Sequence, residues 1–573
     1  MRWRAHARWR AAALLPLAAL AGPTLAASGA SAGQAGLTAA TATATAASAS
    51  ASPATLMPPP ALTLTACRLP GLAQAARCGV LRRPLDPAQP QGRQIDLQVA
   101  VLPALARRKA ADPVLFFAGG PGQSALDLAG PLAAGYARLA QRRDLVFIDQ
   151  RGTGLSAPLR CADDAPRSAL RPLAEQVGLA QRLAALRACR SALQALPHGD
   201  LRFYTTAIAS ADVDAVRQAL GVARLNAIGV SYGTRVVLDY ARQFPQRLRR
   251  AVLDGVAPPD MWLTQSVAAD NQAALDGVLA ACAAEAACDR RHPALRTQWR
   301  QLLASLPRSV QLPHPVSGQL QTLLLDRDGL LGLVRGPLYA PALAAALPEA
   351  LGEATQGRFA PLAALSQALG GGPGSRGGLA MGMHLSVVCS EDLPSTLPAP
   401  SLQSLPSAVT RQAAASAAAQ AAGGDAGPPA ATVLPAASAE FGDSFARFYA
   451  QSCADWPRGE LPAGFRTMAL AAAPMWLLSG GADPVTPPRH AQRAADALGV
   501  LARHTVVAQA GHGVANLPCM REAVQRFISI DADAAALQLA SDSRCAADLP
   551  RPPSFAMPGA PLPGRQRAQD GRR

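Results

Sequence analysis

The sequence predicts an α/β fold, with a mostly parallel sheet, helices on both faces and an inserted, mainly helical cap. Three observations support this. Short apolar runs (Val114-Leu115-Phe116-Phe117, Leu145-Val146-Phe147-Ile148, Leu225-Asn226-Ala227-Ile228 and Ala251-Val252-Leu253) read as buried parallel strands. Helical patterns, among them Ser210 to Leu220 and Thr234 to Gln243, lie between several of these runs, and such alternation gives a parallel sheet. Finally, Gly229-Val230-Ser231-Tyr232-Gly233 joins a strand-like run to a helical one, so a sharp turn carries a serine at its apex.

That setting makes Ser231 the candidate nucleophile. Small glycines allow the strained turn, the hydroxyl projects from the sheet, and the Tyr232 N–H points to where an oxyanion would form. A serine nucleophile needs a base, and the base needs an orienting carboxylate. The strand-like run Met475 to Ser479 ends in Gly480-Gly481-Ala482-Asp483-Pro484, and the run His504 to Ala508 is followed by Gly511-His512-Gly513. Asp483 and His512 thus sit just past strand ends, where an open α/β sheet gathers its site residues. Asp254 and Asp443 are the other candidates for the acid. His490, in a helix start, and His504, inside a strand, are poorer candidates for the base.

The early strand at 114–117 ends in Ala118-Gly119-Gly120-Pro121-Gly122, where a second oxyanion donor is expected; Gly120 is the choice. After the next strand comes Asp149-Gln150-Arg151-Gly152-Thr153-Gly154-Leu155-Ser156, expected to shape the loop beside it, with Arg151 in structural support.

With Gly-Gly-Pro-Gly, Asp-Gln-Arg-Gly-x-Gly-x-Ser, Gly-x-Ser-x-Gly and the late Asp and His, the chain resembles the prolyl aminopeptidase and tripeptidyl aminopeptidase group of α/β-hydrolase serine peptidases. Val388-Cys389-Ser390-Glu391-Asp392 and Cys453-Ala454-Asp455-Trp456-Pro457 resemble the secreted, larger tripeptidyl type. The resemblance covers roughly residues 63 to 547. It departs at Ala118, where the family often has histidine. It implies an α/β-hydrolase fold and release of N-terminal proline or short peptides such as tripeptides from a peptide with a free N-terminus. It also implies that Glu391, with Asp392 second, binds the substrate ammonium. An esterase or other acyl hydrolase with the same triad is the alternative.

Composition points to export. Arg2, Arg4, Arg8 and Arg10 precede the apolar segment Ala11 to Leu20 and then Thr24-Leu25-Ala26, the pattern of a signal peptide cleaved near Ala26. No run is long and apolar enough to span a bilayer without interruption. The 10 cysteines fit an oxidising compartment, secreted or periplasmic. Neighbouring spacing suggests the pairs Cys67–Cys78, Cys161–Cys189, Cys282–Cys288, Cys389–Cys453 and Cys519–Cys545. No close Cys/His cluster of zinc type occurs, and neither a metal nor another cofactor is expected. The formal charge of +16 is carried almost wholly by arginine, partly in the leader and the tail. It is not interleaved with aromatics, so nucleic-acid binding is a poor reading. Oligomeric state is left open.

In order, the chain divides into a signal peptide (1–26), a disordered linker (27–61), the first half of the core (62–261) and a helical cap (262–384). A junction (385–470) follows, with a low-complexity insertion at 413–437, then the C-terminal part of the core (471–549) and a disordered tail (550–573).

Overall fold

The computed structural model describes residues 62–164, 171–314, 316–368, 378–393, 440–542, 547 and 549–556. The expected signal peptide, linker and insertion lie outside the described residues. Eleven strands are present among the described residues: β1 Thr65–Cys67, β2 Ala76–Pro84, β3 Gln94–Leu102, β4 Val114–Phe117, β5 Leu145–Ile148, β6 Leu225–Val230, β7 Leu248–Asp254, β8 Arg308–Pro313, β9 Leu320–Leu325, β10 Met475–Gly480 and β11 Ala502–Val507.

Nine of these strands form one sheet in the order β1-β2-β3-β5-β4-β6-β7-β10-β11. From β5 to β11 every pairing is parallel, while β1, β2 and β3 join antiparallel. Alternating side chains of the central strands enter two separate cores. Leu115 and Phe117 pack with helices Thr206–Ala219 and Tyr232–Gln243, whereas Val114 and Phe116 pack against helix Pro518–Ser529 on the other face. Both faces are therefore apolar, as a covered parallel sheet requires.

The segment between β7 and β10 supplies the cap. Helices Leu263–Ala284, Leu295–Ala304, Arg327–Arg335 and Leu347–Thr355 share a third apolar cluster around Trp299, Leu330 and Leu351. Within this mainly helical cap, residues 308–325 hold an antiparallel hairpin of β8 and β9. Their alternation of exposed and buried residues has the period of a half-buried strand. The cap boundary expected at 384 falls inside helix Met381–Glu391, and Met383, Leu385, Val387 and Val388 of that helix are buried in the sheet's own core. The tail expected to be disordered from 550 begins as an ordered strap: Ser554 N–H donates to Glu285 Oε2 at 3.0 Å and Phe555 N–H to the Ala345 carbonyl at 2.8 Å.

Four of the expected disulfides are formed: Cys67–Cys78, Cys161–Cys189, Cys282–Cys288 and Cys389–Cys453. Cys519 is also disulfide-bonded, but its expected partner Cys545 lies outside the described residues. Stabilisation by loop closure grows with loop length. Replacing both members of Cys389–Cys453, which are 64 residues apart, should cost about 4 kcal/mol, against about 2 kcal/mol for Cys282–Cys288, 6 apart. Denaturant unfolding of the two double-serine variants measures this order, and the reverse order would mean that native-state contacts outweigh loop closure.

Candidate active site

β6 ends directly in the serine turn. Ser231 adopts φ 55°, ψ −124°, a conformation uncommon outside glycine, and helix Tyr232–Gln243 starts at the next residue. The turn is possible because the flanking backbones touch. A β-carbon on Gly233 would stand 2.1 Å from the Phe117 carbonyl oxygen at the end of β4, so only glycine fits there. Ser231 N–H donates to the Asp254 carbonyl at the end of β7, at 2.8 Å.

The loop after β4 lies against this turn. A β-carbon on Gly119 would come 3.1 Å from Ser231 Cβ. Gly119 N–H donates to Gln123 Oε1 at 3.1 Å, which closes the loop, and Gly120 has φ +110°. Among the described residues the Gly120 N–H has no hydrogen-bond partner. Its neighbour Pro121 is held from the cap side: its carbonyl accepts from His384 Nδ1 at 3.2 Å, and His384 Nε2 accepts from Tyr449 Oη at 2.7 Å. Burial pushes the His384 imidazole down to about 4, so the neutral ring can serve both partners.

Asp483 and His512 meet across the ends of β10 and β11. His512 Nδ1 donates to Asp483 Oδ2 at 2.8 Å. Asp483 also accepts from the Val485 and Thr486 backbone N–H groups, each at 2.9 Å, and from Thr486 Oγ1 at 2.8 Å. Burial alone would raise the Asp483 carboxyl, but the His512 charge and these hydrogen bonds outweigh it and lower its pKa. Burial likewise opposes the imidazolium, yet Asp483, with Asp254 behind it, holds His512 above its ordinary value. The ring lies against Gly255, the residue after β7: a β-carbon on Gly255 would lie 3.0 Å from His512 Cε1. Among the described residues the side-chain hydrogen bonds of His512 run to Asp483 and to Thr486 only.

The other candidates are engaged elsewhere. Asp254, fully buried, accepts from the backbone N–H groups of Val514 and Ala515, both at 2.8 Å, and so fixes the loop that bears His512. Burial pushes its carboxyl up to about 6. Asp443 pairs with Arg447, His490 bonds Asp270, and His504 bonds Ser479 and Gln492. Arg151 is buried in a two-pronged bond to Asp212 and also donates to the Leu85 and Phe203 carbonyls.

The placement of Glu391 departs from the expectation that it binds a substrate ammonium. It is 0% exposed, at the end of helix Met381–Glu391. Its carboxylate accepts from Thr206 N–H at 2.7 Å, Thr206 Oγ1 at 2.8 Å and Arg235 at 3.4 Å. Asp392 also accepts from Arg235, at 3.0 and 3.1 Å. Two carboxylates share one guanidinium, and burial together with Asp392 pushes Glu391 up to about 7 against the pull of Arg235 and Thr206. The Tyr232 hydroxyl meets Thr206 Oγ1 at 2.9 Å, so this cluster lies under the residue that follows Ser231.

Sequence reasoning missed two neighbours. Thr486 carries no signal beyond its place three residues after Asp483. Tyr339, from the cap, accepts the His512 N–H on its carbonyl at 2.9 Å and sets its ring edge-on to the imidazole at 5.3 Å.

The family described as alpha/beta hydrolase fold matches residues 112–333, and the family described as TAP-like protein matches residues 437–531. The chain has the alpha/beta hydrolase fold. Among curated proteins it is 33% identical over 222 residues to a tripeptidyl aminopeptidase of Streptomyces lividans, covering 36% of this chain and 40% of that protein. It is 29% identical over 313 residues to serine protease Hip1 of Mycobacterium tuberculosis, covering 52% and 59%. It is 31% identical over 291 residues to a protein named carboxylesterase B from the same species, covering 46% and 56%. The chain thus spans about two fifths to three fifths of the length of these relatives.

A raised carboxyl pKa implies that Glu391 stabilises the fold most when neutral. That contribution is complete below the ordinary value of 4.5 and is lost as pH rises through about 7. Glu391→Gln lacks this titration. Its melting temperature should fall further below the parent's at pH 5 than at pH 8, and an equal deficit at both values would show that the group ionises normally.

Proposed function

We propose that this α/β hydrolase is an exported serine aminopeptidase, acting near the free N-terminus of a peptide by an acyl-enzyme route. The observation that carries the reading is the 2.8 Å bond from His512 to Asp483, set across the strand ends from a serine held at positive φ. His512 takes the Ser231 proton as Oγ attacks the acyl carbon. Asp483 orients the imidazole and stabilises its charged form, and the N–H groups of Gly120 and Tyr232 receive the oxyanion. His512 then protonates the leaving amine, and water releases the acyl group. The names of the two peptidase relatives support the reaction class, and four disulfides support an oxidising compartment.

Ser231→Ala should abolish labelling by a fluorophosphonate and lower turnover at least about 1000-fold in folded protein. Retained labelling would put the nucleophile elsewhere. The acid limb of kcat/KM should lie above the ordinary histidine value of 6.5, because only neutral His512 can accept the proton. In Asp483→Asn the residual activity should show that limb moved downward; an unmoved limb would detach Asp483 from the base.

The esterase reading has its own support, in the relative named carboxylesterase B and in the full engagement of Glu391. An aminoacyl arylamide compared with its N-acetylated form separates the two. The aminopeptidase should cleave the free amine far faster, and equal rates alongside rapid ester hydrolysis would favour the esterase.

A further inference from the structure

Two arginines packed around Tyr449 have no anionic partner among the described residues. Arg335 closes helix Arg327–Arg335 in the cap, and Arg182 lies in helix Leu179–Gln194. Among the described residues neither guanidinium forms a hydrogen bond or an ion pair. Each rests instead on an aromatic face: Arg182 is 4.2 Å from the Phe448 ring centre and Arg335 is 5.0 Å from that of Phe445. Both rings pack on Tyr449, at 5.1 and 4.8 Å.

Their position relates them to the reacting groups. Tyr449 binds His384, which holds the Pro121 carbonyl of the oxyanion loop. The Arg335 charge acts on Tyr339, His384 and Tyr449 together, and Tyr339 is the residue set against His512. Arg182 is open to water yet recessed: desolvation lowers its pKa and the Arg335 charge lowers it further. Asp326 and Asp328 are near enough for Arg182 to feel, but Asp326 accepts from Gly329 N–H at 2.8 Å and Asp328 binds Arg447 at 3.0 Å. A cation disfavoured by its neighbour's charge, with the local carboxylates committed elsewhere, marks a place where a third group supplies the anion.

We propose that Arg182 and Arg335 form a subsite for a carboxylate of the substrate peptide, so that the site prefers short peptides with a free C-terminus or peptides with an acidic side chain. Planar guanidinium groups on aromatic supports hold a carboxylate with little rotamer loss. This inference rests on the peptidase reading and narrows its substrate class.

The test compares kcat/KM for one short peptide as its free acid and as its C-terminal amide, and for an amidated pair carrying Glu or Gln. Wild type should favour the carboxylate member of at least one pair by about 10- to 100-fold, the span of a hydrogen-bonded charge. The first pair detects a C-terminal source and the second a side-chain source. Arg182→Met and Arg335→Met should each bring the preferred ratio toward 1, and the lysine variants should recover part of it. Ratios near 1 in wild type, or ratios unchanged in both methionine variants, would overturn the subsite. Calorimetric binding of the same peptides to Ser231→Ala protein gives a readout that needs no turnover, and equal or absent binding there also overturns it. Fluorophosphonate labelling of wild type runs in parallel. A labelled enzyme that ignores the carboxylate sinks only the subsite, whereas an unlabelled one sinks the serine reading.

Discussion

Asp254 ties the two chain segments of the site to a single strand end. Its carbonyl accepts the Ser231 N–H, and its carboxylate accepts from Val514 and Ala515, just after His512. The proposed nucleophile and base come from segments about 280 residues apart, and this one buried residue fixes both with three short bonds. Neutral backbone donors receive a carboxylate whose burial is costly, which is why its pKa sits high. The Asp483–His512 bond can be short and directional because the loop that carries the imidazole is already held in place.

A second buried charge group supports the turn from below. Arg235 stands on the helix that begins after Ser231, and its guanidinium joins Glu391, Asp392 and the Met261 carbonyl. Asp392 in turn receives Leu263 N–H, at the first residue of the first cap helix. The helix behind the nucleophile, the junction helix and the root of the cap therefore share one set of charges. Removing any single member would strand the others in a low-dielectric interior, and that is costlier than never having buried the set.

Much of this was legible in the sequence. The apolar runs at 114–117, 145–148 and 225–228 found their strands because both faces of the sheet are covered, so every residue in them is buried and, Asn226 apart, apolar. β2 was missed for the opposite reason. At the antiparallel end it is half exposed, and Arg77, Arg82 and Arg83 break its pattern. The hairpin of β8 and β9 hid in a leucine-rich stretch where helix and strand periods are hard to separate. Ser231, Asp483 and His512 stood out because glycine-bearing turns after apolar runs mark strand ends. The surroundings of Glu391 did not, because its partners Thr206 and Arg235 lie 185 and 156 residues away and no local pattern announces them. The ordered start of the tail was equally silent: Ser554 and Phe555 bond through backbone groups, which composition does not encode.

The contact of Tyr339 with His512 bears on how such a chain could be remodelled. The cap's backbone carbonyl holds the peptide N–H of the proposed base, and a β-carbon on Gly511 would stand 2.3 Å from that same oxygen. The cap is thus in direct contact with the loop that carries the proposed base. Grafting a foreign cap between β7 and β10 would have to reproduce one carbonyl position to within a few tenths of an ångström. A transplant chosen only for its substrate pocket would misplace the imidazole while leaving every residue of the proposed triad intact.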